Sequence, residues 1–184
     1  MIKLNIGGGY KRYDGFLNVD RDINCKPDVL LDLEKDKFPF EDSTVSEIKA
    51  YHILEHIGEG YIPLLQELYR ICEHGAIIDI KVPHHFHDNF YSDPTHKRPI
   101  TVEGFRLFNQ TANRLEIARQ GTSSTLGIMY GINFEVVHYD FIYDSFYHDI
   151  IKNSNREQLE RLMREATNVA VETQIKVMVI KDNA

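Results

Sequence analysis

Cysteine is nearly absent from this sequence. Only Cys25 and Cys72 occur among its 184 residues, far apart and in no C-x-x-C pairing, so neither a disulfide framework nor a cysteine-based zinc site is indicated. Long apolar runs are missing as well: no stretch approaches the length needed to span a bilayer. Met1 leads into Ile2-Lys3-Leu4-Asn5-Ile6 without the apolar core and cleavage site of a secretory signal, and the expectation is a cytoplasmic protein with no membrane partner. There is no basic block either. With a formal charge of −7 and no cluster of Lys and Arg to offset phosphate repulsion, free nucleic acid is not expected as a partner. What remains is 42% hydrophobic and 27% charged, without repeats or low-complexity runs, which suits one folded domain over residues 1–184.

The order of elements follows from periodicity and punctuation. Leu4 and Ile6 read as a buried strand running into Gly7-Gly8-Gly9, a turn that permits positive φ and close backbone approach. Phe16 to Asp20 and Asp28 to Leu33 are strand-like, and Asp20 and Asp32 fall at or near their ends. Glu47 to Leu54 is apolar and strand-like. From Pro63 to Cys72, Leu64, Leu65, Leu68, Ile71 and Cys72 recur at helical spacing, with Gly75 as the expected stop. Ala76 to Val82 is the next strand, ended by Pro83. Residues 84–99 have neither period and are rich in His, Asp and Pro, the mark of a long functional loop. Thr101 is placed to cap a short helix reaching Phe108, and 121–131 reads as irregular. Phe134 to Tyr139 is a strand, Ser154-Asn155-Arg156-Glu157 reads as a capping box opening a helix, and Gln174 to Lys181 is the last strand.

Alternating strands and helices favour a mostly parallel α/β sheet, in which ligands lie beyond the carboxyl ends of the strands. The glycines and the acids fall at such ends. An ionised carboxylate only accepts hydrogen bonds, so Asp20 suits a ribose diol, Asp32 suits an adenine amine, and Leu33 lies beside the ring. Each also has a plain structural reading, the glycines as a tight bend and the acids as turn or cap residues.

Leu4-Asn5-Ile6-Gly7-Gly8-Gly9, Gly15-Phe16-Leu17-Asn18-Val19-Asp20, Asp32-Leu33, Phe38-Pro39-Phe40-Glu41-Asp42-Ser43 and His52-Ile53-Leu54-Glu55-His56 resemble the class I S-adenosylmethionine-dependent methyltransferases. Asp93-Pro94-Thr95-His96-Lys97-Arg98-Pro99 is similar to a motif in a compact branch of that family. The resemblance implies a Rossmann-like, mostly parallel sheet flanked by helices, with an antiparallel edge strand at the C-terminus. It further implies S-adenosylmethionine as cofactor: Gly7, Gly8 and Gly9 under its methionine part, Asp20 on the ribose, Asp32 and Leu33 at the adenine, and Tyr51 and His52 facing it. The sequence departs from the family at Asn5, where an acid is usual, and at Val45-Ser46. A third departure is geometric, because residues 9–16 leave room for about two helical turns at most. With no leading helix before the first strand, an open pocket is expected unless residues 84–99, residues 121–131, a homodimer mate or another partner covers it.

A small-molecule or sugar-linked acceptor is the expected substrate. Methyl transfer requires alignment and, for a hydroxyl or amine, removal of a proton, for which His84, His85 and His96 are the candidates, with Arg98 as a clamp for an anionic group. His52, Glu55 and His56, at i, i+3 and i+4, share a face if helical and suggest a metal. The same string is common in metal-free members of the resembling family, and the reading adopted is metal-free. A non-catalytic nucleotide-binding module working through a partner is the alternative class. A nicotinamide enzyme fits poorly, because Gly7 to Arg12 is not G-x-G-x-x-G and Asp20 follows too soon.

Overall fold

Strand alternation gives this protein a sheet with two unlike faces. In the computed structural model, which describes residues 1–181, one seven-stranded sheet runs in the order β3-β2-β1-β4-β5-β7-β6. The strands are β1 (Ile2–Ile6), β2 (Leu17–Asp20), β3 (Val29–Leu30), β4 (Val45–Tyr51), β5 (Cys72–Pro83), β6 (Phe134–Tyr143) and β7 (Ala170–Val179). The first five in that order are mutually parallel, and β7 and β6 close the sheet antiparallel. The antiparallel closure expected at the C-terminus is therefore present, with β6 as its outer strand and β7 inside it. Residues 182–184 of the domain expected over 1–184 lie outside the described residues.

Register explains the faces. Leu4, Ile48 and Ile78 are aligned across the sheet, as are Ile6, Ala50 and Ile80, and all are buried in one apolar core. The helix α1 (Tyr61–Ile71) adds Leu64, Leu65, Leu68 and Ile71 to it. The row on the opposite side, Asn5, Lys49, Asp79 and Lys176, is polar. Right-handed crossovers put the β4-to-β5 connection, which contains α1, and the β1-to-β2 connection on opposite faces. Residues 7–16, however, contain no helix. Tyr13 and Phe16 cover that face instead: Tyr13 meets Tyr51 edge-on at 5.8 Å, and the Lys49 ammonium sits 5.3, 4.7 and 5.6 Å from the rings of Tyr13, Phe16 and Tyr51. Each cation–π contact of this kind contributes about 0.5–2 kcal/mol.

Several expected boundaries move for identifiable reasons. α1 starts two residues before Pro63, which therefore occupies its first turn. Gly75 is not its stop: the chain turns extended at Cys72 and enters β5 at once, with Gly75 at φ +81 near the strand's irregular start. β4 ends at Tyr51, because His52 adopts φ +54 and Leu54–His56 forms a 3-10 turn. β3 spans only Val29–Leu30. The loop after β5 contains α2 (Asp88–Ser92). Thr101 does cap a helix, α3 (Val102–Arg106), accepting from the Gly104 amide. Between it and β6 lie α4 (Gln110–Ala118) and α5 (Leu126–Tyr130), so 121–131 is only partly irregular. β6 is followed by α6 (His148–Lys152) and α7 (Arg156–Glu165). The capping box of α7 is built by Asn155 and Gln158, one residue later than Ser154 and Glu157.

Arg70 fixes the segment before β4 to α1. Its guanidinium donates to both Glu67 oxygens, to the carbonyls of Phe38 and Phe40 and to Asp42. The Arg70 guanidinium holds the Glu67 carboxyl below its ordinary value. A carboxyl whose folded pKa is depressed contributes stability that is present above its unfolded pKa of about 4.3 and lost as pH falls through the folded value. Arg70→Met is expected to cost about 2 kcal/mol in urea unfolding at pH 7. The deficit relative to the unaltered chain should shrink below pH 4; a deficit independent of pH would show that the ion pair is not its source.

Candidate functional site

The strand order reverses between β1 and β4, which opens a crevice at their carboxyl ends. Gly7 follows β1 and Ile53 follows β4, and both line a cavity of about 480 Å³ there, within the range of small-ligand sites. Gly7 has φ +61, and a Cβ on it would overlap the Ile53 side chain. Gly8 is required for a different reason, since a Cβ there would overlap the amides of Asn5 and Asn18. Gly9 has φ +51 and open space around it.

Those two asparagines are almost fully buried, 2% and 1% exposed. Asn5 Nδ2 donates to Asn18 Oδ1 at 2.8 Å and to the Lys11 carbonyl at 2.9 Å, and Asn18 Nδ2 donates to the Gly9 carbonyl at 2.9 Å. The glycine loop is thus fastened to β1 and β2 by donors that an acid at position 5 does not have. This accounts for the departure from the familiar acid.

Asp20 stands at the tip of β2 and lines the cavity. Its Oδ2 accepts from the Gly9 amide at 2.8 Å and its Oδ1 from the Asp22 amide at 2.9 Å. Each oxygen has two lone pairs, so one on each stays available for a second donor. Asp32 and Leu33 line the same cavity. Asp32 is ion-paired with Lys35 at 2.9 Å, and Lys35 and the Glu34 amide hold its carboxyl below the ordinary range. Glu34, which no sequence motif marks, lines the cavity as well. Its Oε1 accepts from the Gly58 amide at 2.6 Å, and Gly60 packs so closely that a Cβ would lie 2.8 Å from the Glu34 carbonyl. The signal available in the sequence was Gly58-Glu59-Gly60, flexible spacing just after the Glu55-His56 string.

The remaining expected residues fall in other places. Tyr51 and His52 are outside the cavity lining; the Tyr51 hydroxyl donates to Asp79 at 2.8 Å on the polar face, and His52 Nε2 bonds Glu172 of β7 at 2.8 Å. Glu55, 3.6 Å from Nδ1, and Glu172 raise the His52 pKa above the ordinary histidine value. Arg98 donates to the carbonyls of Ile57 and Gly58 and lies over the Tyr61 ring at 4.6 Å, so its fork is partly consumed by backbone. Its neighbour Lys97 lines the cavity. His84 and His85 line a second cavity of about 550 Å³ with Tyr139, Phe141, Tyr143, Leu159 and Met163. Burial pushes His84 down to about 4 and lowers His85. His84 Nδ1 accepts from the Phe86 amide at 3.2 Å, which assigns the ring proton to Nε2. His96 lies apart from both, packed on Phe90 at 5.2 Å and against His56 at 4.6 Å. The three histidines therefore do not form one cluster. The His52, Glu55, His56 trio is not on one helical face either, because its residues span a 3-10 turn.

No family model matches the sequence, and no curated protein matches it. Its structure is similar to that of a SAM-dependent methyltransferase from Archaeoglobus fulgidus, with a TM-score of 0.62 and 18% identity over 96% of this chain and 85% of the other. A Haloferax volcanii putative methyltransferase structure, solved as a complex with the Trm112 activator, gives 0.56 at 13% identity over 98% and 83%. The [4+2]-cyclase SpnF gives 0.56 at 11% identity over 98% and 75%. At these identities the likeness is one of fold: the chain has the Rossmann-like architecture shared by these proteins, flanked by helices and closed by antiparallel strands. Among the described residues no helix is long and apolar enough to cross a membrane.

The glycine loop yields a prediction independent of any ligand. Gly8→Ala is expected to lower stability by about 2–3 kcal/mol, by displacing two buried amides. Asn5→Asp should cost about 1–3 kcal/mol, because it removes the donor to Lys11 and Asn18. Thermal unfolding measures both; a neutral Gly8→Ala would show that the loop is not fastened through this pair.

Proposed function

We propose that the protein is an S-adenosylmethionine-dependent methyltransferase of the cytoplasm that acts on a small, sugar-linked acceptor. The observation that carries the reading is Asp20: a carboxylate at the tip of β2, beside the glycine turn, that lines a cavity of about 480 Å³ and keeps a second lone pair on each oxygen. The residues fit the cofactor. Gly7 leaves bare backbone at the cavity wall, Asp20 suits two vicinal hydroxyls, and Leu31, Leu33 and Ile57 offer apolar walls near Asp32 for a flat ring. When bound, S-adenosylmethionine would supply a sulfonium methyl group for transfer to the acceptor, the bond to the methyl carbon forming as the S–CH3 bond breaks and the neutral thioether leaves.

The second cavity supports the acceptor reading. Its aromatic rings, Tyr139, Phe141 and Tyr143, suit the apolar face of a sugar, Asp140 and Glu160 accept from hydroxyls, and Arg156 and Arg164 suit an anionic linkage. Of the candidate bases, His85 is the better suited. Its Nδ1 is buried with no hydrogen-bond partner among the described residues, whereas His84 Nδ1 is already committed to the Phe86 amide; burial lowers the pKa of both rings, that of His84 to about 4. Free, buried Cys25 and Cys72 fit a reducing compartment, and burial pushes the Cys72 thiol up to about 12, far from a nucleophile.

Titration calorimetry tests the cofactor reading. S-adenosylmethionine and its demethylated product are expected to bind and NAD is not, and Asp20→Asn should weaken binding by about tenfold or more, as one acceptor oxygen becomes a donor. Unchanged affinity in Asp20→Asn, or binding of NAD alone, overturns the assignment. With an acceptor found by screening sugar-linked metabolites, His85→Ala should lower turnover by about 10²-fold at unchanged cofactor affinity. Full turnover in that variant would remove His85 as the base.

A further inference from the structure

Among the described residues, Glu55 is the buried carboxylate with both oxygens unpaired by a hydrogen bond. It is 1% exposed. His52 Nδ1 is 3.6 Å away, beyond hydrogen-bond distance, and the other nitrogen of that ring is committed to Glu172. A buried carboxylate without a hydrogen-bond partner is costly, and what usually resolves it is a proton, a close counter-charge or a metal ion.

Two histidines stand beside it. One donor atom each from Glu55, His56 and His96 lie within 4.8 Å of one another. The hydrogen bonds around the rings settle their tautomers. His96 Nδ1 lies 2.7 Å from the Phe90 carbonyl, which only accepts, so Nδ1 carries the proton. His56 Nδ1 lies 2.8 Å from Thr95 Oγ1, whose own proton goes to Asp93 at 2.6 Å; the hydroxyl therefore accepts from His56. Both rings thus hold Nδ1–H against an oxygen and keep Nε2 as a lone pair. Metal-ligating histidines are oriented in this way, by an outer acceptor on the other ring nitrogen. The backbone joins the same segments, since the Lys97 and Arg98 amides both donate to the Glu55 carbonyl at 2.7 and 3.4 Å.

We propose that Glu55, His56 and His96 form a binding site for a divalent first-row metal ion. Two imidazoles and one carboxylate favour zinc or cobalt over magnesium or calcium, which prefer all-oxygen sites. Three protein ligands leave room for water or a ligand oxygen. His56 and Thr95 line the cavity of about 480 Å³, so the ion borders that cavity and ties its two walls, the turn after β4 and the loop at 93–98. The proposal stands on the geometry of these side chains and does not require the methyltransferase reading.

The test uses the full chain, stripped with chelator and titrated with Co²⁺ in the visible region. Ligand-field bands saturating at one equivalent and abolished by Zn²⁺ are expected. Glu55→Gln and His96→Gln should each weaken Co²⁺ binding by at least about tenfold. Thr95→Val, which keeps the three ligands and removes the acceptor from His56, should weaken it by roughly tenfold. His148→Gln, a 77% exposed histidine elsewhere, should leave it unchanged. Absence of bands in the unaltered protein, or full binding in both His96→Gln and Thr95→Val, overturns the site even if Glu55→Gln fails to fold. Calorimetry with S-adenosylmethionine on the same samples separates the two readings: cobalt binding without nucleoside binding sinks the methyltransferase assignment alone, and the reverse sinks the metal site alone.

Discussion

The buried amide pair between Asn5 and Asn18 is the constraint on which the cavity depends. A loop of three glycines has little intrinsic preference for one shape, and fixing it costs more backbone entropy than fixing other residues. Here the cost is offset by hydrogen bonds made out of reach of water. Asn5 donates to Lys11 and to Asn18, and Asn18 donates to Gly9, so that both ends of the loop are held. Asp28 extends the network by accepting from the Asn18 amide at 2.7 Å. Once the loop is held, Asp20 can grip the Gly9 amide and still present lone pairs to the crevice.

The missing crossover helix has consequences at both ends of the sheet. Parallel sheets are normally covered on both faces, and a bare face exposes backbone and apolar rows. This chain answers with alternation: apolar residues on the α1 side, charged and aromatic residues on the other. Tyr13 and Phe16, delivered by the short connection, pack with Lys49 and Tyr51 where a helix otherwise lies. The Tyr51 hydroxyl is drawn into that layer by Asp79 and away from the crevice, and the turn at His52 hands the cavity wall to Ile53. The openness inferred from the short front end is thus tempered by the loop at 93–98, which brings Thr95 and Lys97 to the cavity.

Histidine identity in sequence says little about histidine chemistry in the fold. His84 Nδ1 accepts from the Phe86 amide and burial keeps the ring neutral, His85 retains an unpaired nitrogen, and His56 and His96 are both oriented by oxygen acceptors. These are three different environments for one side chain. Only the backbone path through 3-10 turns and short helices separates them.

By itself the sequence determined the class of fold and pointed to four residues that line the crevice, Gly7, Asp20, Asp32 and Leu33. Those signals are local: Ile6 running into glycine, Asp20 closing a strand, and leucines at helical spacing in α1 each arise within a few residues. Helices α4 and α5, the early end of β4 and the one-residue shift of the α7 cap were not legible, because tertiary packing and side-chain hydrogen bonds choose among near-equal local alternatives there. The meeting of Glu55 and His56 with His96 was decided by the tertiary structure alone. Forty residues of chain separate them, and what brings them together is the hydrogen bonding of two loop segments that carry no periodicity.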